Sequence, residues 1–194
     1  MTDDLLSVVN TPKPSNYKWG CGVILQDPNT KKILMAKRTD NNKLSTVGGT
    51  VEHQESPLQA ICRETKEESN VTINNLKYYG CDTHSSPNGD WTTFLFYSDD
   101  FDASNIQNQV EEMGEYSWYD PNEIDLDDPE LFEPCRLALE QAYSNGLLVD
   151  KADNSIPYVQ CPSTATSASS AVHCAYSYQE PEKVFVDNQG FYWD

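Results

Sequence analysis

Gly48-Gly49-Thr50-Val51-Glu52-His53-Gln54-Glu55-Ser56-Pro57-Leu58-Gln59-Ala60-Ile61-Cys62-Arg63-Glu64-Thr65-Lys66-Glu67-Glu68-Ser69-Asn70-Val71 is the most informative stretch of this chain. Its second half predicts a helix from Ser56 to Ser69. Ser56 is a good N-cap, Pro57 suits the first helical position, and Gln59 completes a Ser-x-x-Gln capping box. Asn70 can take the left-handed conformation that ends a helix. Leu58, Ile61, Cys62 and Thr65 recur at i, i+3, i+4 and i+7 and make a core-facing stripe. Glu64, Glu67 and Glu68 fall on a different face, where three neighbouring carboxylates repel one another by a few tenths of a kcal/mol per pair.

Outward from this helix the chain reads mostly as strands. Trp19–Leu25, a turn at Asp27-Pro28-Asn29, and Lys32–Arg38 together suggest a hairpin. Val71–Tyr79 and Trp91–Tyr97 read as two strands joined across Ser86-Pro87-Asn88-Gly89-Asp90, a strong turn signal. Tyr116–Tyr119 is a further short strand. Pro129–Asn145 reads as a second helix with Gly146 placed for its stop. Strands mixed with two helices, without regular alternation, argue for an α/β sandwich over a doubly wound sheet. Residues 1–16, with Pro12 and Pro14 among polar residues, read as a flexible arm, residues 17–149 as the domain, and residues 150–194 as an extension. Ser163–Ala171 is low-complexity, and beyond it lie Tyr176, Tyr178, Phe185, Phe191, Tyr192 and Trp193. So many aromatics left in water would form an unusually large apolar patch. The end is therefore expected to dock, as a short hairpin, on the chain's own sheet edge or on a second subunit of a homodimer.

Composition narrows the partners. The 194 residues carry 31 acids against 13 bases, a net charge of −18, with 38% hydrophobic and 11% aromatic residues. That supports a core and argues against wholesale disorder. It excludes a nucleic-acid polymer, whose binding needs a basic face, and disfavours an anionic membrane surface. A small phosphorylated ligand stays open, because a bound divalent cation inverts the local field. No apolar run approaches the ~20 residues of a spanning helix. Met1-Thr2-Asp3-Asp4 has no basic n-region and is not expected to be a secretory signal. The expected compartment is the cytoplasm. Six scattered cysteines (Cys21, Cys62, Cys81, Cys135, Cys161, Cys174) form no CxxC pair, and they are expected to be mostly buried thiols, not a disulfide or zinc framework.

The opening stretch resembles the Nudix box, Gly-x5-Glu-x7-Arg-Glu-U-x-Glu-Glu-x-Gly-U, in which U is a bulky aliphatic. Gly49, Glu55, Arg63, Glu64, Glu67, Glu68 and Val71 match at the required spacing, while Thr65 and Asn70 depart from it. Val47, before Gly48-Gly49, stands where many relatives carry proline. At average residue usage the polar and glycine matches arise by chance in roughly 10⁻⁵ of chains this long, and about tenfold more often in so acidic a chain. The resemblance extends over roughly residues 17–145 and implies the Nudix α/β/α sandwich around a mixed β-sheet. It implies a hydrolase that attacks a pyrophosphate phosphorus of a nucleoside diphosphate linked to another moiety, using water and Mg²⁺, for which Mn²⁺ can substitute. Glu64, Glu67 and Glu68 would be the metal cradle, completed by the carbonyl of Gly48 or Gly49. Glu55 would sit behind it, with Arg63 orienting Glu64 or Glu67.

The resemblance also picks out residues beyond the box. Many relatives keep an extra loop glutamate before the strand at Trp118. Glu112 matches it best, as a fourth metal ligand or general base, with Glu115 the alternative. Glu64 is the other candidate for the base. Tyr17, Trp19, Phe94 and Trp91 are candidates for stacking on a base, although a strand aromatic is more often core. Arg38 is a further weak substrate-binding candidate. Ser85-Ser86-Pro87-Asn88-Gly89 resembles the Ser-Pro-Gly stretch of ADP-ribose-hydrolysing relatives, so Pro87 joins the substrate candidates. The NADH-type signature is absent, and RNA decapping sits badly with −18. The substrate reading leans to ADP-ribose-like compounds or dinucleoside polyphosphates. A housecleaning (d)NTP pyrophosphatase and a non-catalytic Nudix-fold nucleotide-binding or interaction module are the rivals.

Overall fold

Strand β1 (Trp19–Leu25) is apolar on both faces, as a central strand must be. In the computed structural model, which describes residues 7–85, 89–107, 112–148, 156 and 158–162, β1 lies inside a five-stranded sheet. The strands that follow are β2 (Ile33–Lys37), β3 (Leu44–Ser45), β4 (Val47–Thr50), β5 (Thr72–His84), β6 (Trp91–Asp102), β7 (Ser117–Tyr119) and β8 (Tyr158–Gln160). The large sheet has the order β4-β1-β6-β5-β8, and β3-β2-β7 form a second, three-stranded sheet. The large sheet is mixed. β1 runs parallel to β6 and antiparallel to β4, and β5 runs antiparallel to both β6 and β8.

Helix α1 (Pro57–Ser69) and helix α2 (Glu133–Ser144) cover opposite faces of this sheet. Leu58, Ala60 and Ile61 of α1 join Cys21, Val23, Leu25, Leu76, Phe94 and Phe96 in one apolar cluster. Cys135, Leu139 and Ala142 of α2 join Ile24, Ile33, Met35 and Tyr97 in the other. The α/β sandwich expected from the sequence is therefore the observed architecture. Among the described residues no helix is long and apolar enough to cross a membrane.

Both ends of α1 follow the sequence reading. Ser56 and Gln59 form the reciprocal capping box, and Asn70 closes the helix at φ 57°. The two departures from the box are accommodated locally. Thr65 is fully buried and its hydroxyl donates to the Ile61 carbonyl at 2.7 Å, one turn back. Asn70 also donates its side-chain amide to the Asn105 carbonyl at 2.9 Å.

Other expectations are corrected. β1 and β2 are not a hairpin, since they lie in different sheets and the turn between them closes only with the isolated bridge Gln26–Ile33. β1 already hydrogen-bonds β4 on one side and β6 on the other, so no edge is free for β2. The second helix starts at Glu133, not Pro129, because Leu44 bonds Glu130 and Phe132 and draws that segment out as extended chain. The long hairpin β5–β6 continues beyond Tyr79 to His84, which pairs with Trp91. Residues 7–16 are held rather than loose. Val9 is fully buried, and the Lys13 N–H donates to the Glu55 carbonyl at 2.8 Å.

The cysteine reading is also corrected. Cys21 and Cys135 are buried thiols and Cys81 is exposed, but Cys62 and Cys161 form a disulfide, with Cα atoms 6.3 Å apart. The two are 99 residues apart in sequence, so no local spacing announces the bond. β8 makes it possible by adding to the free edge of β5 through Asn75–Gln160, Leu76–Val159 and Lys77–Tyr158. The extension thus docks on the chain's own sheet through residues 158–160. The aromatic end expected to dock lies outside the described residues, as does Cys174.

Candidate active site

β4 and α1 meet edge to face, and the contact explains why the box begins with glycine. The Glu64 carboxyl lies directly over Gly49, and a β-carbon there would overlap it. At Gly48 a β-carbon would strike the Cys21 carbonyl and Gly22 of β1. Two positions without side chains therefore let a carboxylate and a strand close on β4 from opposite sides.

Arg63 organises the neighbouring acids. Its Nε and Nη2 donate to the two oxygens of Glu55, both at 2.9 Å, and Nη2 also reaches the Thr50 carbonyl at 3.1 Å. Its Nη1 lies 3.1 Å from Glu64 Oε1 and 3.0 Å from Glu67 Oε2. This guanidinium ties the loop to the helix in the bidentate geometry that lysine cannot make. For Glu55, burial pushes the carboxyl up, but the Arg63 and Glu52 donors outweigh it and hold it below the ordinary range.

Glu64 and Glu68 form the inner part of the cluster. The Glu64 side chain is 12% exposed, and Glu68 as a residue only 5%. Glu68 Oε2 accepts from the Gly48 N–H at 3.3 Å. Burial, only partly offset by that donor, and then the charges of Glu64 and Glu112 push the Glu68 carboxyl up to about 8. Burial also raises Glu64, with Glu67 and Glu112 adding to the effect against Arg63. These are carboxylates whose ionised forms lack sufficient positive charge.

Glu112 is exposed and near enough to act on both through its charge, while its carbonyl accepts from Thr39 N at 2.9 Å. Glu67, 61% exposed, turns outward to Arg63. Glu115 is exposed. Among the described residues no three acidic, histidine or cysteine side chains converge as a ready-made metal cage. The donor set is nevertheless all oxygen, partly buried and mutually repelling, which is the chemistry a hard divalent cation satisfies.

A cavity of about 360 Å³ opens from the same glycines. Gly48 and Gly49 form one wall, Arg38, Trp91 and His84 others, and Phe132 with Cys135 the cover from α2. The Arg38 guanidinium lies 4.6 Å from the Phe132 ring centroid and is forked to Asp40 at 2.9 Å. Of the aromatic candidates, Trp91 lines this cavity. Trp19 packs edge-on against Phe94 at 5.0 Å on the α1 side of the sheet, and Tyr17 is exposed. Pro87 lies outside the described residues. Phe132 and His84 were not among the sequence candidates. Their place in the cavity depends on β5 running on to His84, beyond the Tyr79 read from local patterning, and on α2 starting only after Phe132, which that patterning placed inside the helix.

Comparison with known proteins is consistent with this geometry. The NUDIX domain family model matches residues 16–137. A protein of Mannheimia succiniciproducens named NAD-capped RNA hydrolase NudC is 29% identical over 150 residues, 72% of this chain and 55% of its own length. An uncharacterized Nudix hydrolase, YvcI of Bacillus subtilis, is 29% identical over 98 residues, covering 48% of this chain and 61% of its own. The chain spans 55%, 35% and 36% of the length of three NudC-named relatives. Among solved structures, the MutT NUDIX hydrolase of Burkholderia pseudomallei superposes with TM-score 0.57 at 22% identity, covering 66% of this chain and 98% of its own. The NUDIX domain of Shewanella oneidensis NrtR, complexed with ADP ribose, gives 0.56 at 18% identity, covering 68% and 90%. At these identities the structures establish the fold.

Proposed function

The chain belongs to the Nudix family, and from that premise we propose that it is a Mg²⁺-dependent pyrophosphohydrolase cleaving a nucleoside diphosphate linked to another moiety. One observation carries the reading: Glu64 and Glu68 are packed against Gly48-Gly49, and the same two glycines wall a ligand-sized cavity. Glu64, Glu67, Glu68, Glu112 and the Gly48 carbonyl are the groups that would hold Mg²⁺. When bound, the ion supplies charge neutralisation at the diphosphate and a more acidic water. Arg63, locked by Glu55, holds Glu64 and Glu67 in place. Arg38, at the cavity wall, faces the diphosphate as a cation. Glu112, exposed and close to Glu64 and Glu68, takes the proton from the attacking water.

The substrate we propose is ADP-ribose-like, supported by the ligand named with the NrtR domain and by the single-nucleoside scale of the cavity. A dinucleotide of the NAD type is the second reading, favoured by the names of the curated relatives. In both, a small molecule is the partner, since a charge of −18 repels a polynucleotide. A homodimer is part of the proposal. We place the enzyme in the cytoplasm, on three described cysteines without a disulfide, one of them exposed. The Cys62–Cys161 bond is the observation that opposes this, and acid-quenched thiol trapping in cells decides it. The test of function is incubation with Mg²⁺ and ADP-ribose, dinucleoside polyphosphates, NAD, NADH or dNTPs, with products identified by mass. Release of nucleoside monophosphate from the linked diphosphates is expected. Turnover of dNTPs alone would move the assignment to a nucleotide pyrophosphatase, and no turnover would leave a binding module.

A further inference from the structure

The carboxylate cluster does not use a polar pair of which one member, His84, lines the cavity and the other, Asp82, lies behind it on the same strand. β6 presents Trp91, Thr93 and Leu95 to the cavity, and their partners across the ladder on β5 are His84, Asp82 and Gly80. Asp82 and His84 are two residues apart on one strand and so share a face. Asp82 Oδ2 and His84 Nδ1 lie 3.7 Å apart, and both atoms are shut off from solvent without a hydrogen-bond partner. A buried acceptor and a buried ring nitrogen facing each other are costly unless they bond. A proton on Nδ1 directed at the carboxylate satisfies both with a small approach. That tautomer leaves His84 Nε2 with its lone pair; with Nδ1 shut off and the side chain 26% exposed, the other edge of this cavity-lining residue is the one left for a ligand.

From β4 to β5 is three strand spacings, about 14 Å across the sheet, and His84 lies beyond Gly80, the β5 position level with Gly48, by a further ~13 Å along the strand. His84 therefore stands at the far end of the cavity from Gly48-Gly49. Glu133, at the start of α2, is a further acid near His84, and its carboxylate is engaged by Arg136.

Resting on the proposed pyrophosphohydrolase reading, we infer that His84 is a specificity-determining residue: its Nε2 accepts a hydrogen bond from a hydroxyl or amine on the nucleoside half of the substrate. Trp91 beside it supplies an aromatic wall, and Asp82 is the positioning residue that keeps the acceptor facing the cavity. The ligand class is a nucleoside phosphate whose sugar or base carries a hydrogen-bond donor at the end of the cavity remote from Gly48-Gly49.

The experiment is calorimetric titration of the full chain with AMP, GMP, CMP and UMP, which requires no turnover. One of the four is expected to saturate the wild type. His84→Ala weakens it at least tenfold, about the worth of one hydrogen bond. His84→Gln, which returns an acceptor near the Nε2 position, recovers part of the loss. Asp82→Asn hardly changes the volume and removes the carboxylate charge that favours a proton on Nδ1, and an amide nitrogen turned toward Nδ1 moves the ring proton to Nε2. This variant is expected to weaken binding by a similar factor with an unchanged melting temperature, which a packing role would not do. Analogues of the preferred monophosphate lacking one hydroxyl or amine identify the donor, because one of them binds wild type and His84→Ala equally. In steady state, KM for ADP-ribose rises more than kcat falls. Wild-type affinity in Asp82→Asn and His84→Ala, or no monophosphate saturating the wild type, overturns the inference. Intact monophosphate binding without hydrolysis of any diphosphate instead sinks the hydrolase reading and leaves this subsite standing.

Discussion

Reducing the Cys62–Cys161 bond tests how the extension is held, and its size follows from the topology. The bond joins residues 99 apart, so it closes nearly the whole span from α1 to β8 in the unfolded chain. In the chain-entropy account a loop of that length destabilises the unfolded state by about 4.7 kcal/mol. In a domain of this size each kcal/mol corresponds to roughly 2–4 °C, so the full effect is about 9–19 °C in melting temperature. β8 alone cannot replace this constraint. It offers three paired positions, the Tyr158 ring 4.6 Å from Lys77 Nζ, and a Tyr158 hydroxyl donating to Asp99 at 2.7 Å. Once β8 frays, Lys77, now 1% exposed, regains water and the folded state loses little by letting it go. The assay is a thermal melt by circular dichroism with and without a phosphine reductant, alongside Cys62→Ser. Peptide mapping reports the Cys62–Cys161 cross-link before and after. A fall in Tm on reduction, matched by Cys62→Ser and not exceeded by adding reductant to that variant, is expected. Complete reduction with an unchanged Tm would refute the reasoning, and would mean that the described β8 contacts suffice without the covalent tie.

Glu67→Gln and Glu68→Gln are each expected to lower kcat more than a hundredfold in steady-state assays with Mg²⁺, and excess EDTA to abolish turnover. Full activity in EDTA would remove the metal role. Glu112→Gln should cut kcat with little change in KM, while near-wild-type kcat would return the base to Glu64 or Glu115. Arg63→Lys gives up the fork to Glu55 and the bond to Thr50, and should cost about 2–3 kcal/mol in denaturant unfolding, with kcat falling as Glu64 and Glu67 lose their tether. Without metal, stability should drop as pH rises. Glu68 ionises near its ordinary 4.5 when unfolded but near 8 when folded, so its contribution is whole below about 4.5 and is lost progressively up to about 8. Melting temperature at pH 5 and pH 8, with and without Mg²⁺, checks the sign: the metal should raise Tm more at pH 8.

The carboxylate helix was readable before any coordinates. Its caps and its apolar stripe depend on residues within one or two turns, where backbone geometry is the same in any fold, whereas Glu68, read on a separate face with Glu64 and Glu67, lies at i+7 from Ile61 and is buried with the stripe. The mixed sandwich was also readable, because strands and helices announce themselves by period. Pairing was harder to read. The turn Asp27-Pro28-Asn29 is consistent with a hairpin, yet β1 bonds β4 and β6 instead, and only competition for both its edges decides that. The same holds for the start of α2, where Leu44 captures the segment Glu130–Phe132 that local propensity assigns to a helix.

The sequence by itself determined the chemistry: which residues are acids, how they are spaced on one helix, and that a glycine pair precedes them. Tertiary structure decided which of those acids are buried and what lies beside them. Glu68 is pressed against the Gly48 N–H while Glu67, one residue away, turns outward to Arg63, because successive helix residues point about 100° apart and only one of the two directions meets β4. It also decided that His84 and Phe132, 48 positions apart, wall one cavity, and that Cys62 finds Cys161 across 99 residues. Helical spacing is a local property of the backbone, whereas burial, desolvation and cross-strand neighbours arise only when distant segments exclude water from one another.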